Sequence, residues 1–265
     1  MVFVKDVMLK EFPKVNKNET LEHAYRLMRK YDTDRILVVD GDRLVGIMTK
    51  WDVMEKLATL RTRQVVPGRL HVSSFMSTDL KTISPTADPR QAAQIMLENN
   101  IGGLPVVEDG KAVGLITRWE IASLAKQRID VRAVDMMAAS PVALKPTDTA
   151  LYARKVFETY NTIFVPVVDE GGRPIGYVTV SEIADALYAF HDIVEEKYRK
   201  KRIGHLLVED FMRLRPPYVE PDTPLPKIVE AMIEKKSKGA IVVQSDRIVG
   251  IVTLVEILKY YTLYS

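Results

Sequence analysis

One seven-residue pattern occurs four times in this chain. It consists of glycine, two apolar residues, threonine, two variable residues and a carboxylate, and it occupies residues 46–52, 114–120, 176–182 and 250–256. Self-similarity at a nearly constant period, here about 60 to 75 residues, is the signature of a repeat protein and limits the possible architectures before any local propensity does. Each copy also places a hydroxyl group and a carboxylate at the same spacing.

The elements around this pattern are repeated as well. Each copy opens with a short segment that ends in methionine (Met8, Met76, Met137 and Met212), followed by an extended stretch and an amphipathic helix. Two apolar runs joined by a turn, such as Asp40-Gly41-Asp42, then predict a hairpin. The threonine and the carboxylate three residues later predict the capping box of a last helix. Each unit is therefore predicted to be β-α-β-β-α.

Units of about 60 residues are small for an independent core, so we expect them to pair. The predicted fold class is mixed, α+β or α/β, with four units arranged as two paired modules. The first module covers residues 1–128, with units at about 1–60 and 70–128. The second module covers residues 129–265, with units at about 130–190 and 205–265.

Composition restricts the function classes. The net charge is +3, which gives no general reason to bind nucleic acid, and the absence of cysteine excludes disulfides and thiolate metal sites. The amino terminus lacks a signal-peptide pattern, and no apolar stretch is long enough to span a bilayer. We therefore expect a cytoplasmic protein with no membrane contact, no metal and no required cofactor.

A basic run lies between the third and fourth units. Residues 197–202 carry five basic side chains out of six, inside a linking segment, 185–207, that we expect to extend the last helix of the third unit. Three interpretations are open: a solvated helix end, a contact with a polyanion, or a contact with an acidic partner protein. The first is favoured.

The threonine and carboxylate also have a chemical interpretation. Two carboxylate oxygens match the two donors of a ribose diol, and a threonine hydroxyl with the first helix amides can face a phosphate. The alternative is that each pair only caps its helix. Spacing alone favours the capping interpretation.

The complete unit resembles the CBS domain, named after cystathionine β-synthase, and the resemblance covers essentially the whole chain as four copies. It implies two CBS pairs, also called Bateman modules, that bind adenosine-containing ligands (AMP, ADP, ATP or S-adenosylmethionine) in clefts between paired units. Four copies in one chain resemble the γ subunit of AMP-activated protein kinase. The resemblance also implies a flat disc of four units, formed either by one chain or by a homodimer.

The resemblance assigns site residues to each cleft. One cleft of the first module would combine Thr49, Lys50 and Asp52 with Thr82, Ile83 and the Gly103-Leu104-Pro105 turn. The other would combine Thr117, Arg118 and Glu120 with Val15 and Arg35. Weaker candidates in the second module are Thr179, Glu182, Thr253 and Glu256.

The four copies differ at two positions of the pattern. Only the first ends in aspartate, and the longer glutamate of the others must fold back to reach a diol. The residue after threonine is a cation in the first module, Lys50 or Arg118, but Val180 or Leu254 in the second. Because charge-assisted contacts to phosphate are strong, we expect the first module to bind nucleotide better.

These features predict a non-catalytic regulatory protein that senses adenine nucleotides and signals to an effector protein. An enzyme is not expected, because four units leave no room for a catalytic domain and catalysis in this family belongs to attached domains. The alternatives are a nucleic-acid-binding module that uses the basic run and a purely structural assembly module.

Overall fold

The computed structural model describes residues 2–57 and 66–264. The end of the predicted first unit, at residues 58–60, and the first part of the link to the second unit lie outside these residues. None of the helices formed by the described residues has the length and apolar character needed to cross a bilayer.

The first module contains two units with the predicted order of elements. Its elements are α1 (Val4–Val7), β1 (Lys14–Asn16), α2 (Leu21–Lys30), β2 (Arg35–Asp40), β3 (Arg43–Thr49), α3 (Lys50–Leu57), α4 (Pro89–Glu98), β4 (Gly103–Glu108), β5 (Lys111–Thr117) and α5 (Arg118–Ala125). In the second unit the first strand is reduced to one bridge, between Ile83 and Val106.

The second module repeats this order. Its elements are α6 (Ala133–Met136), β6 (Ala138–Ala139), α7 (Ala150–Tyr160), β7 (Phe164–Val168), β8 (Pro174–Thr179), α8 (Val180–Ile193), α9 (Glu196–Arg202), β9 (Arg213–Leu214), β10 (Tyr218–Val219), α10 (Leu225–Glu234), β11 (Gly239–Gln244), β12 (Arg247–Thr253) and α11 (Leu254–Tyr264). Helix α8 has 14 residues against eight in α5, so the last helix of the third unit is extended as expected as far as Ile193.

Local signals in the sequence explain where the helices begin. Thr20 accepts a hydrogen bond from the backbone N–H of His23, 3.2 Å away, and so caps α2. Asp88 caps α4, which has proline at its first position. The buried residues of α2 are Leu21, Ala24, Tyr25 and Met28, which form one face of a helix.

The predicted hairpins form in all four units. They are β2 with β3, β4 with β5, β7 with β8, and β11 with β12, each antiparallel. In every hairpin the threonine of the repeated pattern lies opposite the first residue of the preceding strand. These opposing pairs are Thr49 with Arg35, Thr117 with Gly103, Thr179 with Phe164, and Thr253 with Gly239.

The two units of each module exchange their opening segments. In the first module Leu9 bridges to Leu115 of the second unit, and Ser77 bridges back to Ile47 of the first. In the second module β6 pairs with β12, and β9 pairs with β8. Each hairpin is therefore completed by the other unit of its module, which explains why a single unit would leave a strand edge unpaired.

Contacts between modules come mainly from the last helices of the units. Helix α3 of the first unit packs on α8 of the third, and α11 of the fourth unit packs on α4 and α5 of the second. One apolar core accordingly combines residues of the first and third units, and another combines the second and fourth. The flat disc stays a prediction.

Candidate functional site

The threonine and carboxylate of each repeated pattern are hydrogen-bonded to each other. In the first copy the backbone N–H and the hydroxyl of Thr49 both donate to Oδ2 of Asp52, each at 2.7 Å. The glutamates fold back to make the same pair of bonds in Thr117–Glu120, Thr179–Glu182 and Thr253–Glu256. All four copies therefore contain the predicted capping contact.

The other oxygen of Asp52 contacts the neighbouring unit. Its Oδ1 accepts a hydrogen bond from the hydroxyl of Ser77 at 3.1 Å. Ser77 follows Met76 in the exchanged opening segment of the second unit. The aspartate therefore lies at the boundary between units, where the resemblance places a ribose, and Ser77 is a neighbour that sequence reasoning missed.

The remaining residues predicted for this first cleft lie on the strand edge of the second unit. The backbone N–H of Ile83 donates to the carbonyl of Pro105 at 3.1 Å, and Gly103, Leu104 and Pro105 belong to β4. Ile83 is buried and Thr82 is exposed. Among the described residues, no hydrogen bond joins Thr82 or Ile83 to Thr49 or Asp52, so the assembly of this cleft stays a prediction.

Lys50 is held by the second module. Its Nζ donates to Oδ2 of Asp185 on α8 at 2.7 Å, and the lysine side chain is only 13% exposed. An incoming phosphate would therefore compete with this carboxylate for the Lys50 ammonium. Sequence reasoning could not identify the pair, because Asp185 is 135 residues away in the chain.

The structure brings together most residues predicted for the second cleft. The guanidinium of Arg35 packs on the backbone of the second unit, so closely that a Cβ atom built on Gly103 would lie 2.7 Å from Nη1 of Arg35 and 3.3 Å from Cγ2 of Thr117. Burial raises the pKa of Glu120, although its hydrogen bonds to Thr117 and the nearby charge of Arg35 act in the opposite direction. Val15 is buried in β1 opposite Val38, within its own unit.

Arg118 is the most unusual residue of this region. Arg118 is only 7% exposed. Its Nε has no hydrogen-bond partner in the part of the chain that the structure describes. The pKa of Arg118 is lowered to about 10, mainly by burial and also by the neighbouring charge of Arg35, while Asp34 and Glu256 act to raise it. A buried guanidinium without a partner is costly unless an anion completes it.

Sequence reasoning missed Asp34, which lies near Arg118, and its ion-pair partner Lys238. Asp34 accepts a hydrogen bond from Nε of Arg35 at 2.9 Å and forms an ion pair with Lys238, 204 residues later in the chain. Burial acts to raise the pKa of Asp34, but Arg35 and Lys238 outweigh it and hold the pKa well below its usual range. Asp34 and Lys238 occupy the same position in their units, directly before the first strand of the hairpin. This equivalence could have identified them from the sequence.

The equivalent position in the second module is apolar. A Cβ atom built on Gly239 would lie 2.8 Å from Cγ of Phe164. Phe164 therefore packs on Gly239 as Arg35 packs on Gly103 in the first module. Phe164 stacks on Tyr177 with ring centroids 5.0 Å apart. Val180 and Leu254, which follow the threonines, are also buried. At these positions the second module therefore carries apolar or aromatic side chains where the first carries cations.

Two open clefts lie on the fourth unit, and both are lined by Tyr218. One has a volume of about 420 Å³ and is lined by Ile175, Arg215, Pro216, Pro217, Tyr218, Ala231, Glu234 and Lys235. The other, of about 350 Å³, lies next to Glu220 and Lys227. Neither contains a residue predicted from the sequence. The described residues contain no cluster of His, Asp or Glu suited to a metal ion.

Comparison with known proteins gives relatives of two kinds. Over short stretches the chain is 34% identical to inosine-5'-monophosphate dehydrogenase of Korarchaeum cryptofilum, across 110 residues that are 42% of this chain and 23% of the relative. It is 32% identical to the CBS domain-containing protein YhcV of Bacillus subtilis, across 46% of this chain and 84% of the relative. The chain thus spans about a quarter of the dehydrogenase, so that similarity concerns a region of the enzyme.

A similarity over nearly the full length involves protein MJ1225 of Methanocaldococcus jannaschii, an uncharacterized protein 24% identical over 271 residues. Its crystal structure, described as that of a candidate archaeal homologue of g-AMPK, covers 98% of this chain with a TM-score of 0.84 at 23% identity. This similarity shows a shared fold. The family model of the CBS domain matches residues 4–59, 72–126, 131–189 and 194–263. The chain therefore belongs to the CBS domain family.

Proposed function

We propose that this protein is a non-catalytic regulatory protein that binds an adenine nucleotide between the units of its first module. Membership of the CBS family supports a ligand that contains adenosine, as the resemblance implies. The observation that carries the proposal is the buried guanidinium of Arg118, whose Nε lacks a partner among the described residues. A phosphate group supplies the acceptor oxygens that such a guanidinium requires.

The surroundings of Arg118 suit the rest of a nucleotide. Arg35 adds positive charge near it, and Lys238 is joined to the same Asp34 carboxylate as Arg35. In this proposal Asp34 holds Arg35 in the absence of ligand, and the phosphate shares these cations. The carboxylates of Glu120 and Asp52 are the candidates for the ribose hydroxyls in the two clefts.

In this proposal the second module mainly supports the structure and does not hold the nucleotide. Phe164 and Tyr177 fill its centre with apolar rings, and Val180 and Leu254 replace the cations of the first module. The effect of a nucleotide bound at Arg118 would be transmitted to the second module through the ion pair of Asp34 with Lys238, which connects the first and fourth units. A ligand can bias the arrangement of the units only by the difference between its affinities for their alternative arrangements.

Calorimetry of the intact chain tests this proposal with AMP, ADP, ATP and S-adenosylmethionine as ligands. The intact chain is required because each large core combines units of both modules. We expect micromolar binding of at least one of these ligands, weakened in Asp52→Ala if the first cleft is used. Unchanged binding in Asp52→Ala together with loss in Glu120→Ala would assign the ligand to the second cleft.

A purely structural role is the second candidate function. The observation that favours it is the completed capping contact in all four copies of the pattern, which satisfies each threonine without any ligand. If no heat is released with any of the four ligands and the melting temperature is unchanged, the structural role replaces the sensor. The cytoplasmic location and the effector protein stay predictions.

A further inference from the structure

The basic run between the third and fourth units forms a separate helix. Helix α9 follows α8 after a short break, and its position is fixed by Arg199. Nε of Arg199 donates to the carbonyl of Val194, and Nη2 donates to the carbonyl of His191, each at 2.7 Å. Arg199 is therefore buried as a cap on the C-terminal end of α8, and it holds the other cations of α9 in place.

The other four cations of the run face solvent. Lys197, Lys200, Lys201 and Arg202 are all exposed. Lys197 pairs with Glu195 at 3.0 Å. Across residues 2–57 and 66–264, no carboxylate forms an ion pair with Lys200, Lys201 or Arg202. Three neighbouring positive charges on one short helix are therefore not neutralised by the described part of the protein.

Apolar side chains accompany these cations. Ile193, at the end of α8, is 80% exposed, and Tyr198 of α9 is 43% exposed. Lys197 and Arg202 approach the Tyr198 ring, with distances to its centroid of 4.9 and 5.2 Å. We call the exposed residues Ile193, Lys197, Tyr198, Lys200, Lys201 and Arg202 the α9 surface. It combines positive charge with large apolar groups.

The positive charge of the chain is concentrated here. The run holds five of the 38 basic residues and no acidic residue, so the remaining 33 basic residues face 35 acidic ones. The rest of the chain is thus net negative. A long polyanion such as duplex DNA, with one charge per about 1.7 Å, would extend beyond α9, which is about 10 Å long, onto a remainder of the chain that has no net positive charge.

We propose that the α9 surface is a docking site for a short acidic segment of a partner protein that also carries apolar side chains. Glutamate or aspartate side chains of the partner pair with Lys200, Lys201 and Arg202, and its apolar side chains cover Ile193 and Tyr198. Charge complementarity selects the partner, and a remainder of the chain without net positive charge offers an extended polyanion no further attraction. This site is separate from the nucleotide site and does not depend on it.

Fluorescence anisotropy of the full chain tests the docking site. The probe is a fluorescein-labelled peptide of glutamates interspersed with leucine and phenylalanine, and its control carries glutamine in place of every glutamate. We expect the acidic peptide to bind the wild type and to bind about tenfold more weakly to the triple variant Lys200→Gln, Lys201→Gln, Arg202→Gln. Arg199 stays in place, so α9 keeps its anchor.

Matched controls separate the α9 surface from general charge. The triple variant Lys10→Gln, Lys111→Gln, Lys145→Gln removes three exposed cations elsewhere and should keep wild-type affinity. Ile193→Ser should weaken the binding of the acidic peptide but leave the binding of a single-stranded oligonucleotide unchanged. Equal loss in both triple variants, no binding of the acidic peptide, or tighter binding of the oligonucleotide than of the peptide would overturn the proposal.

Discussion

Met76 of the second unit packs against Gly46 of the first, so closely that a Cβ atom on Gly46 would lie 2.8 Å from the Met76 sulfur. The same pairing of an opening methionine with the glycine of the other unit occurs in Met8 with Gly114, Met137 with Gly250, and Met212 with Gly176. The repeated glycine is therefore explained by the exchange of opening segments within each module.

We predict that Gly46→Ala destabilises the protein by about 1 to 3 kcal/mol, because the added methyl group crowds Met76 and the Ser77 carbonyl. Urea unfolding measures the loss. Adding Met76→Ala to Gly46→Ala should cost less stability than the sum of the two single substitutions, which is a favourable coupling energy. Gly204→Ala is the matched control, since nothing lies within 4 Å of a Cβ atom there. Equal losses for Gly46→Ala and Gly204→Ala would contradict the packing explanation.

A second prediction concerns Asp34, which joins Arg35 to Lys238 of the second module. Its pKa in the folded protein is lowered, so its stabilising effect is present above the unfolded value near 3.9 and is lost as the pH falls toward the folded value. At neutral pH we expect Asp34→Asn to cost on the order of 2 kcal/mol, since the carboxylate is only partly exposed.

Urea unfolding at a series of pH values checks this expectation. The difference between wild type and Asp34→Asn should be constant near neutrality and shrink below about pH 4. The exposed Asp42→Asn variant should show no such difference. A gap that stays constant down to pH 3 would show that the Asp34 carboxylate is not held by these cations.

The apolar centre of the second module gives a third prediction. Phe164→Ala should cost about 3 to 5 kcal/mol, because the ring is fully buried between Gly239 and Tyr177. The exposed Tyr160→Ala should change stability by less than about 0.5 kcal/mol. Calorimetry of the folded Phe164→Ala protein should still show nucleotide binding. Lost binding in a folded variant would place the ligand in the second module instead.

Lys50 and Arg118 follow the threonine in equivalent copies of the pattern. Within residues 2–57 and 66–264, Lys50 forms an ion pair with Asp185 and Arg118 forms none. We predict that Lys50→Gln lowers nucleotide affinity by less than about threefold. Because Asp185 is half exposed, the variant should cost less than about 1 kcal/mol of stability. If calorimetry finds that Lys50→Gln weakens binding as much as a substitution of Arg118, both cations contact the ligand.

Sequence reasoning succeeded where the deciding interactions are local. The hairpins follow from turn residues between apolar runs, and the capping contact of Thr117 with Glu120 follows from their spacing of three. The exchange of opening segments was not predictable in this way, because Met76 and Gly46 belong to different units. Within each copy the opening methionine precedes the glycine by 38 or 39 residues, which showed only that both positions matter.

The centre of the first module shows the same limit. Asp34 and Lys238 are adjacent in space because the first and fourth units meet there, and no local pattern connects residues 204 positions apart. Lys50 and Arg118 had the same motif position, yet one is paired across modules and the other is buried without a partner for its Nε among the described residues. Neighbouring units, and not the motif itself, decide which cation is available to a ligand.

The most direct test of the account is the affinity of the intact protein for AMP, measured by calorimetry beside Arg118→Gln and Arg43→Gln. Arg43 is exposed on the β2–β3 hairpin and serves as the matched control. We predict that Arg118→Gln weakens the affinity for AMP by tenfold or more, since a charged hydrogen bond at a buried site is worth about 1.5 to 3 kcal/mol. Arg43→Gln should bind as the wild type does. Equal affinity in all three proteins would contradict the assignment of Arg118 to the nucleotide site.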